Sequence, residues 1–344
     1  MAMLSPTHRD VALEVAGIAA SGGRMDERAQ ALIECLHLAI RFDAAWIGLL
    51  NPERRGHLTL LDRGYDQRVR RYLDQPEVLD EIEEVGLHRE RAPIRLSEAL
   101  GILEESPIWE EYFRPAGFQD ALALGLFQAD GRYLGVLGLH AEAVTQLTDD
   151  DSALLALLTP TIAAAVDPLR SLAVLAGMVA HATAGAVLTR AGHPLPLPGL
   201  PSHVLLRPGS RLLPVAAEEL DGHQHDSFLC PHRGPAPDDR HVKVTMLKCP
   251  TDLPHYLFAV VLISPAPDVY GLTPRELEIL GLLVEGWPNA RIAAALFVTA
   301  RTVATHVEHI LAKLAVTTRS AAAVLALRLG LYIPRLLASG MDPA

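Results

Sequence analysis

A chain of 344 residues exceeds what one hydrophobic core usually organises, so two or three domains of roughly 100–200 residues each are expected. Half of the residues are apolar and 21% are charged, the composition of a soluble globular protein rather than a disordered one. The net charge of −11 argues against a polyanionic partner for the chain taken whole, and three cysteines with no CxxC pair argue against a disulfide framework and fit a reducing compartment.

Lysine is confined to Lys243, Lys248 and Lys313, none of which follows a phosphate-cradling glycine loop, so a P-loop ATPase is excluded. Schiff-base chemistry in the first two-thirds of the chain is excluded with it. The N-terminus lacks the basic region and apolar run of a secretory signal. No GxSxG, HExxH or GxGxxG is present, and an HRD at His8–Asp10 stands without the other parts of a kinase. An enzyme is not expected.

In chain order, residues 10–41 carry apolar positions at helical spacing. AAWIGLL and HLTLLDRG then read as a hairpin about NPERRG. A polar helical stretch through Leu79–Val85 precedes ALALGLFQ and RYLGVLGLH, joined at Ala129-Asp130-Gly131, a strong hairpin signal. Thr148 and Asp151 stand at capping-box spacing before an apolar helix. Helix, hairpin, connecting helices, hairpin, helix describes an antiparallel sheet covered by helices. That order resembles a GAF domain over roughly residues 8–165, which implies an α+β small-molecule-sensing fold.

SLAVLAGMVAHATAGAVLT contains His181 and has no basic cluster beside it, so it is read as a buried helix and strand rather than a membrane span. Proline is dense over 194–214 and again in PHRGPAPDDR, which reads as loop or linker. GAVLTRAG, HVKVTMLK and HYLFAVVLIS read as strands, the last two paired around CPTDLP. They form either a small PAS-like region or an extension of the first sheet.

From Leu272 the texture becomes helical. Thr273 caps and Pro274 opens a helix ending at Gly286. A second starts near Asn289, and Thr299 caps a third in which Val303, Val307, Ile310, Leu311 and Leu314 form one stripe. A fourth, from Thr318 or Arg319, ends at Gly330. Over 290–330 the charged residues are Arg291, Arg301, Lys313, Arg319 and Arg328 against Glu308 alone, a local +4 on a chain that is otherwise −15. Such asymmetry marks a basic interaction module on an acidic body.

Four short helices with a tight turn before the third have helix-turn-helix geometry. LTPRE, Gly286, Asn289, Ile292-Ala293, RTV at 301–303, THV at 305–307, IL and KL closely resemble the LuxR/NarL-type DNA-binding domain over about sixty positions. The resemblance implies a transcription regulator with double-stranded DNA as partner. The organisation expected is multidomain: a GAF-like sensory domain over 1–166, a PAS-like or linker region over 167–267, and an all-α LuxR-type helix-turn-helix over 268–344.

Opposite the apolar stripe of the third helix lie Arg301, Thr305, Glu308, His309 and Ala312. The residues expected at DNA are Asn289, Arg301, Thr302, Ala304, Thr305, Glu308, His309, Lys313 and Arg319. Arg301, Lys313 and Arg319, with Asn289 and Thr302, serve the backbone, while Ala304 and Thr305 meet thymine methyls and Glu308 accepts from a cytosine amino group. Family members often carry cations where this chain has Ala304 and Glu308, which implies modest affinity and reliance on a homodimer. The resemblance places the dimer contact on the fourth helix, at Ala321, Ala322 and Leu325, although these small residues also suit packing within the domain.

An effector cavity in the first domain would lie between sheet and helices, with Trp46, Trp109, Tyr112, Phe113 and Phe127 as lining or as plain core. No cofactor is required; the effector is an unidentified small molecule or protein. Two alternatives stand beside this reading: a protein-binding adaptor with a degenerate helix-turn-helix, and a metal- or haem-responsive sensor. The second is motivated by the 221–241 loop, with His223, His225, Cys230 and His232 as ligands and Cys-Pro pairs at 230 and 249. A cytoplasmic location, without a membrane partner, is expected.

Overall fold

The computed structural model describes residues 5–53, 56–95, 109–144, 146–232 and 241–338. The chain divides into two compact units, residues 1–168 and 169–344.

In the first unit, α1 (Pro6–Ala20) opens with the Ser5 hydroxyl accepting from the His8 N–H and Pro6 in the first turn. The pattern predicts one helix over 10–41, but Ser21 adopts an extended conformation and two glycines follow, so the helix breaks and α2 (Met25–Leu36) begins afresh. The chain continues through the hairpin β1 (Ala44–Leu50) and β2 (His57–Arg63), then α3 (Gln67–Leu73), capped by Asp66. α4 (Glu77–Val85) is stopped by left-handed Gly86. β3 (Ile94–Arg95) precedes a single π-helical turn over Trp109–Phe113. The expected hairpin about Asp130-Gly131 joins β4 (Asp120–Phe127) to β5 (Tyr133–Ala141), and α5 (Asp149–Ala165) starts at the predicted box, where the Asp151 carboxylate accepts from the Thr148 N–H at 2.8 Å.

The sheet is antiparallel throughout, in the order β2-β1-β5-β4-β3. Alternation divides its two faces. Ala45, Ile47, Leu49, Leu137, Leu139, Leu122 and Leu124 share a core with α1, α2 and α5. Ala44, Trp46, Val136 and Ala121 share another with α3, α4 and the π turn. This is an antiparallel α+β sheet covered by helices on both faces.

In the second unit, α6 (Pro168–Gly177) leads into β6 (Ala184–Thr189) and β7 (Pro194–Pro196). Among the described residues no single helix is long and apolar enough to cross a membrane. The proline-rich segment read as linker is partly ordered. It holds β7, whose prolines sit on an edge strand where a missing donor does little harm, and a 3-10 turn at Val204–Leu206. It runs on to the start of α7 (Leu212–Glu219). β8 (His225–Pro231), β9 (His241–Lys248) and β10 (Leu257–Pro265) complete a second antiparallel sheet, ordered β7-β6-β10-β9-β8. The middle region therefore owns a sheet and does not extend the first. Most of PHRGPAPDDR, 233–240, lies outside the described residues.

Five helices follow: α8 (Pro274–Val284), α9 (Asn289–Ala295), α10 (Ala300–Lys313), α11 (Arg319–Leu329) and α12 (Arg335–Ala338). The expected starts and stops recur: Thr273, Thr299 and Thr318 cap α8, α10 and α11, and Gly330 ends α11 at φ 67°.

These helices share one core with the second sheet, which joins the regions expected as 167–267 and 268–344. The Leu229 N–H of edge strand β8 donates to the Tyr332 carbonyl at 2.8 Å, and the Lys243 Nζ donates to the Leu329 carbonyl at 3.1 Å. Gly281 lets α8 approach the segment beyond α11 so closely that an added Cβ would collide with the Ile333 carbonyl.

Candidate functional site

The turn between α9 and α10 is made by Leu296–Thr299, with Phe297 at φ 54° and 95% exposed. Thr299 accepts from the Thr302 N–H at 3.1 Å and so fixes the start of α10. Val303, Ile310 and Leu314 are buried, with Val307 and Leu311 packed against the same core. The opposite side, Arg301, Thr302, Thr305, Glu308, His309 and Ala312, is exposed, while Ala304 is half-buried. The Thr305 hydroxyl donates back to the Arg301 carbonyl at 3.2 Å. Asn289 is half-buried in the first turn of α9.

Two expected phosphate contacts have other work. Lys313 donates to the Glu276 carboxylate at 2.7 Å, and Arg319 donates to the Trp287 carbonyl at 2.5 Å, tying α11 to the α8–α9 connection. Glu276, missed in the sequence, is only 2% exposed and also accepts from the Thr273 N–H and hydroxyl. Burial pushes its carboxyl up, but the Lys313 ammonium and the Thr273 donors outweigh this and hold it below the ordinary carboxylate range. The capping box and the end of α10 are thus one hydrogen-bonded unit. The Glu of LTPRE was its visible half.

The fourth helix requires a correction. Ala322 is wholly buried in the core of its own unit, and Ala321 and Leu325 are half-buried, because α11 lies against α8. Ala322 cannot touch a second copy without unpacking that core. The exposed apolar residues of α11 are Val324 and Leu327.

In the first unit a cavity of about 120 Å³ lies between the second face of the sheet and the helices over it. The sheet supplies Trp46, Ala121, Ala123, Val136, Gly138 and His140; above them are Tyr72, Glu81, Ile82, Trp109 and Phe113. Trp46, Trp109 and Phe113 are where the sequence placed them. Tyr112 instead stacks on Tyr72 at 4.3 Å, facing a polar outer cleft, and Phe127 packs on Tyr133, with the Arg91 guanidinium 5.6 Å from its ring. Neither is among the residues found to line the cavity.

Small residues make the room. Gly138 lies across from Trp46 and Ala123 in the ladder, and the next pairing joins Ala44, His140 and Ala121. His140 went unnoticed because its partner, Tyr65, is distant in sequence; the Tyr65 Oη lies 2.7 Å from its Nδ1. Burial lowers the His140 pKa to about 3 and raises that of Tyr65 well above the ordinary phenol value, so both are neutral near pH 7.

The four residues expected as metal ligands are not gathered into one cluster among the described residues. Among the described residues no three His, Cys, Asp or Glu side chains gather as metal ligands. His225 and Cys230 belong to strand β8, with His225 exposed at its start and Cys230 buried near its end. His232 lies against His203 at 4.9 Å, and His223 is exposed before the strand. Burial pushes the Cys230 thiol up to about 12 and, despite a nearby arginine, that of Cys249 as well, so both are neutral thiols near pH 7.

Residues 271–326 match the family described as bacterial regulatory proteins, luxR family. The C-terminal helices are a LuxR-family helix-turn-helix domain. Over 57 residues, 17% of this chain, it is 54% identical to the transcriptional regulatory protein LiaR of Bacillus subtilis, covering 27% of that protein. Over 57 residues it is 49% identical to the nitrate/nitrite response regulator protein NarL of Escherichia coli K12, covering 17% of this chain and 26% of NarL. The chain thus spans about a quarter of the length of these curated relatives. A GAF domain from a phosphoenolpyruvate-protein phosphotransferase of Coxiella burnetii aligns with 51% of this chain and all of that one, at 16% identity and a TM-score of 0.39.

Proposed function

We propose that the chain is a cytoplasmic, homodimeric transcription regulator, not an enzyme, whose GAF-like unit binds a small effector and whose α10 enters the major groove of double-stranded DNA. The observation that carries this reading is the exposed side of α10, where Arg301, Thr302, Thr305, Glu308 and His309 stand free of the core that holds Val303 and Ile310. Arg301, at the start of that helix, is placed to grip phosphate beside the helix N-terminus, while Thr305 and Glu308 face the base edges.

With Lys313 paired to Glu276 and Arg319 bonded to the Trp287 carbonyl, few unengaged cations remain for the backbone, so the affinity of one copy is modest and depends weakly on salt. Two copies joined through Val324 and Leu327 of α11 would present paired helices to paired half-sites. Effector binding would then act by shifting the placement of those helices.

Fluorescence anisotropy on a duplex selected from a random-sequence pool tests this. Arg301→Ala is expected to weaken binding about tenfold or more. A variant that binds like the native chain overturns the groove assignment. The exposed carboxylate of Glu308, on the very face meant for a polyanion, favours one second reading, an adaptor that binds protein through the same helix. Failure of the native chain to retain any duplex from the pool would select it.

A further inference from the structure

The cavity of the GAF-like unit has a chemistry of its own, and the identity of its occupant rests on taking that cavity as the effector site. Its volume, about 120 Å³, is on the scale of a single aromatic ring, since an apolar cavity of about 150 Å³ takes up benzene. Trp109, Phe113 and His140 form a near-parallel stack at one wall, with interplanar angles of 22°, 5° and 17°. Such a wall receives another flat ring in offset stacking. No arginine or lysine is among the lining residues described, and Glu81 is. Among the lining residues described, a carboxylate ligand would find no cationic counter-charge.

The remaining polar groups are nearly all paired. The Trp46 Nε1–H donates to the Thr59 hydroxyl at 2.9 Å, and the Tyr72 hydroxyl donates to Glu81. His140 is the exception. It lines the cavity and is 8% exposed, and among the described residues the one hydrogen bond found for its ring is that of Nδ1 with Tyr65.

Counting donors assigns the tautomer. Were Nδ1 protonated, the Tyr65 hydroxyl hydrogen and Nε2 would both lack partners. With Tyr65 donating to Nδ1, the Nε2–H alone is unmet. We infer that the cavity takes a neutral, planar, single-ring aromatic molecule carrying a hydrogen-bond acceptor, which the Nε2–H of His140 meets while the Tyr65 hydroxyl fixes the tautomer.

The test uses the full chain and three probes in ligand-observed NMR titrations: acetophenone, a ring with a carbonyl; ethylbenzene, its counterpart without an acceptor; and benzoate, its charged relative. Acetophenone is expected to bind about tenfold more tightly than ethylbenzene, and benzoate more weakly than either. In His140→Phe the advantage of acetophenone over ethylbenzene should vanish while both still bind. Equal affinities in the native chain, or a preference that survives in His140→Phe, would overturn the role of His140 and leave the effector-site reading standing. Binding of no ring at all would overturn both. Should His140→Phe not fold, the imidazole nitrogen shifts of the native chain decide: protonation at Nδ1 rejects the inference, and protonation at Nε2 supports it.

Discussion

The two five-stranded sheets follow the same strand order when each is counted from its own first strand, yet they are finished differently. The inner face of the first carries Ala121, Ala123 and Gly138 among a few large rings and leaves a cavity. The second packs Phe228, Val244, Met246, Val261 and Ile263 with Leu212, Leu213 and Leu220 from α7 and its end, and its edge strand carries the LuxR-type helices. One topology thus serves as a receptacle and as a mount, and what separates them is side-chain volume at a few ladder positions rather than the path of the backbone.

Gly281→Ala bears on the mount most heavily. The added Cβ meets a backbone carbonyl that cannot swing aside, so a loss of about 2–3 kcal/mol is expected in urea unfolding followed at Trp287. An unchanged midpoint would show that the helices do not depend on the segment beyond α11.

Acid should separate the two regions next. His57 and His140 have folded pKa values lowered by burial to about 4 and about 3, from an ordinary 6.5. Below pH 6.5 the unfolded chain binds protons that the folded one refuses, so stability is complete above that pH and declines as pH falls toward those values. The lowered Glu276 carboxyl contributes stability that is complete above its ordinary value of 4.5 and is lost as pH falls through its depressed folded value. Fluorescence of Trp46 and Trp109 should therefore report weakening from about pH 6 downward, ahead of Trp287. Simultaneous weakening would erase the distinction.

Gly138→Ala carries the smallest expected effect on stability, within about 1 kcal/mol, because a Cβ there meets nothing closer than the His140 Cε1 at 3.5 Å. It should nonetheless weaken acetophenone binding by narrowing the cavity that Gly138 lines. Unchanged binding would place the site elsewhere.

Local signals were the legible ones. Thr273-Pro274, Thr299, Thr318 and Gly330 act within one turn, and each ends or starts a helix where its chemistry says it should. The Asp130-Gly131 hairpin and the Thr148–Asp151 box are of the same kind. Hidden features depended on partners far along the chain. Lys313 and Glu276 are 37 positions apart, Tyr65 and His140 are 75, and neither pair follows a spacing rule. α11 was legible as a helix but not in its orientation, because apolar residues run almost all the way round it and no stripe tells Ala322 from Val324. β8 was hidden because its histidine and cysteine, with the histidines on either side, suggested a loop, although Phe228 and Leu229 are its buried centre.

The hydrogen bond from Leu229 to Tyr332 has a practical corollary. The stretch after the fourth LuxR-type helix acts as a selvedge, sealing a sheet border whose bare amides would otherwise be open to pairing with a neighbouring molecule. A fragment trimmed to residues 271–326, where the family likeness stops, would forfeit Leu331, Ile333 and Leu337 from its interior and leave that border unhemmed in whatever remained. Excision at 326 should therefore produce two sticky pieces, whereas a cut that keeps residues 169–338 together should not.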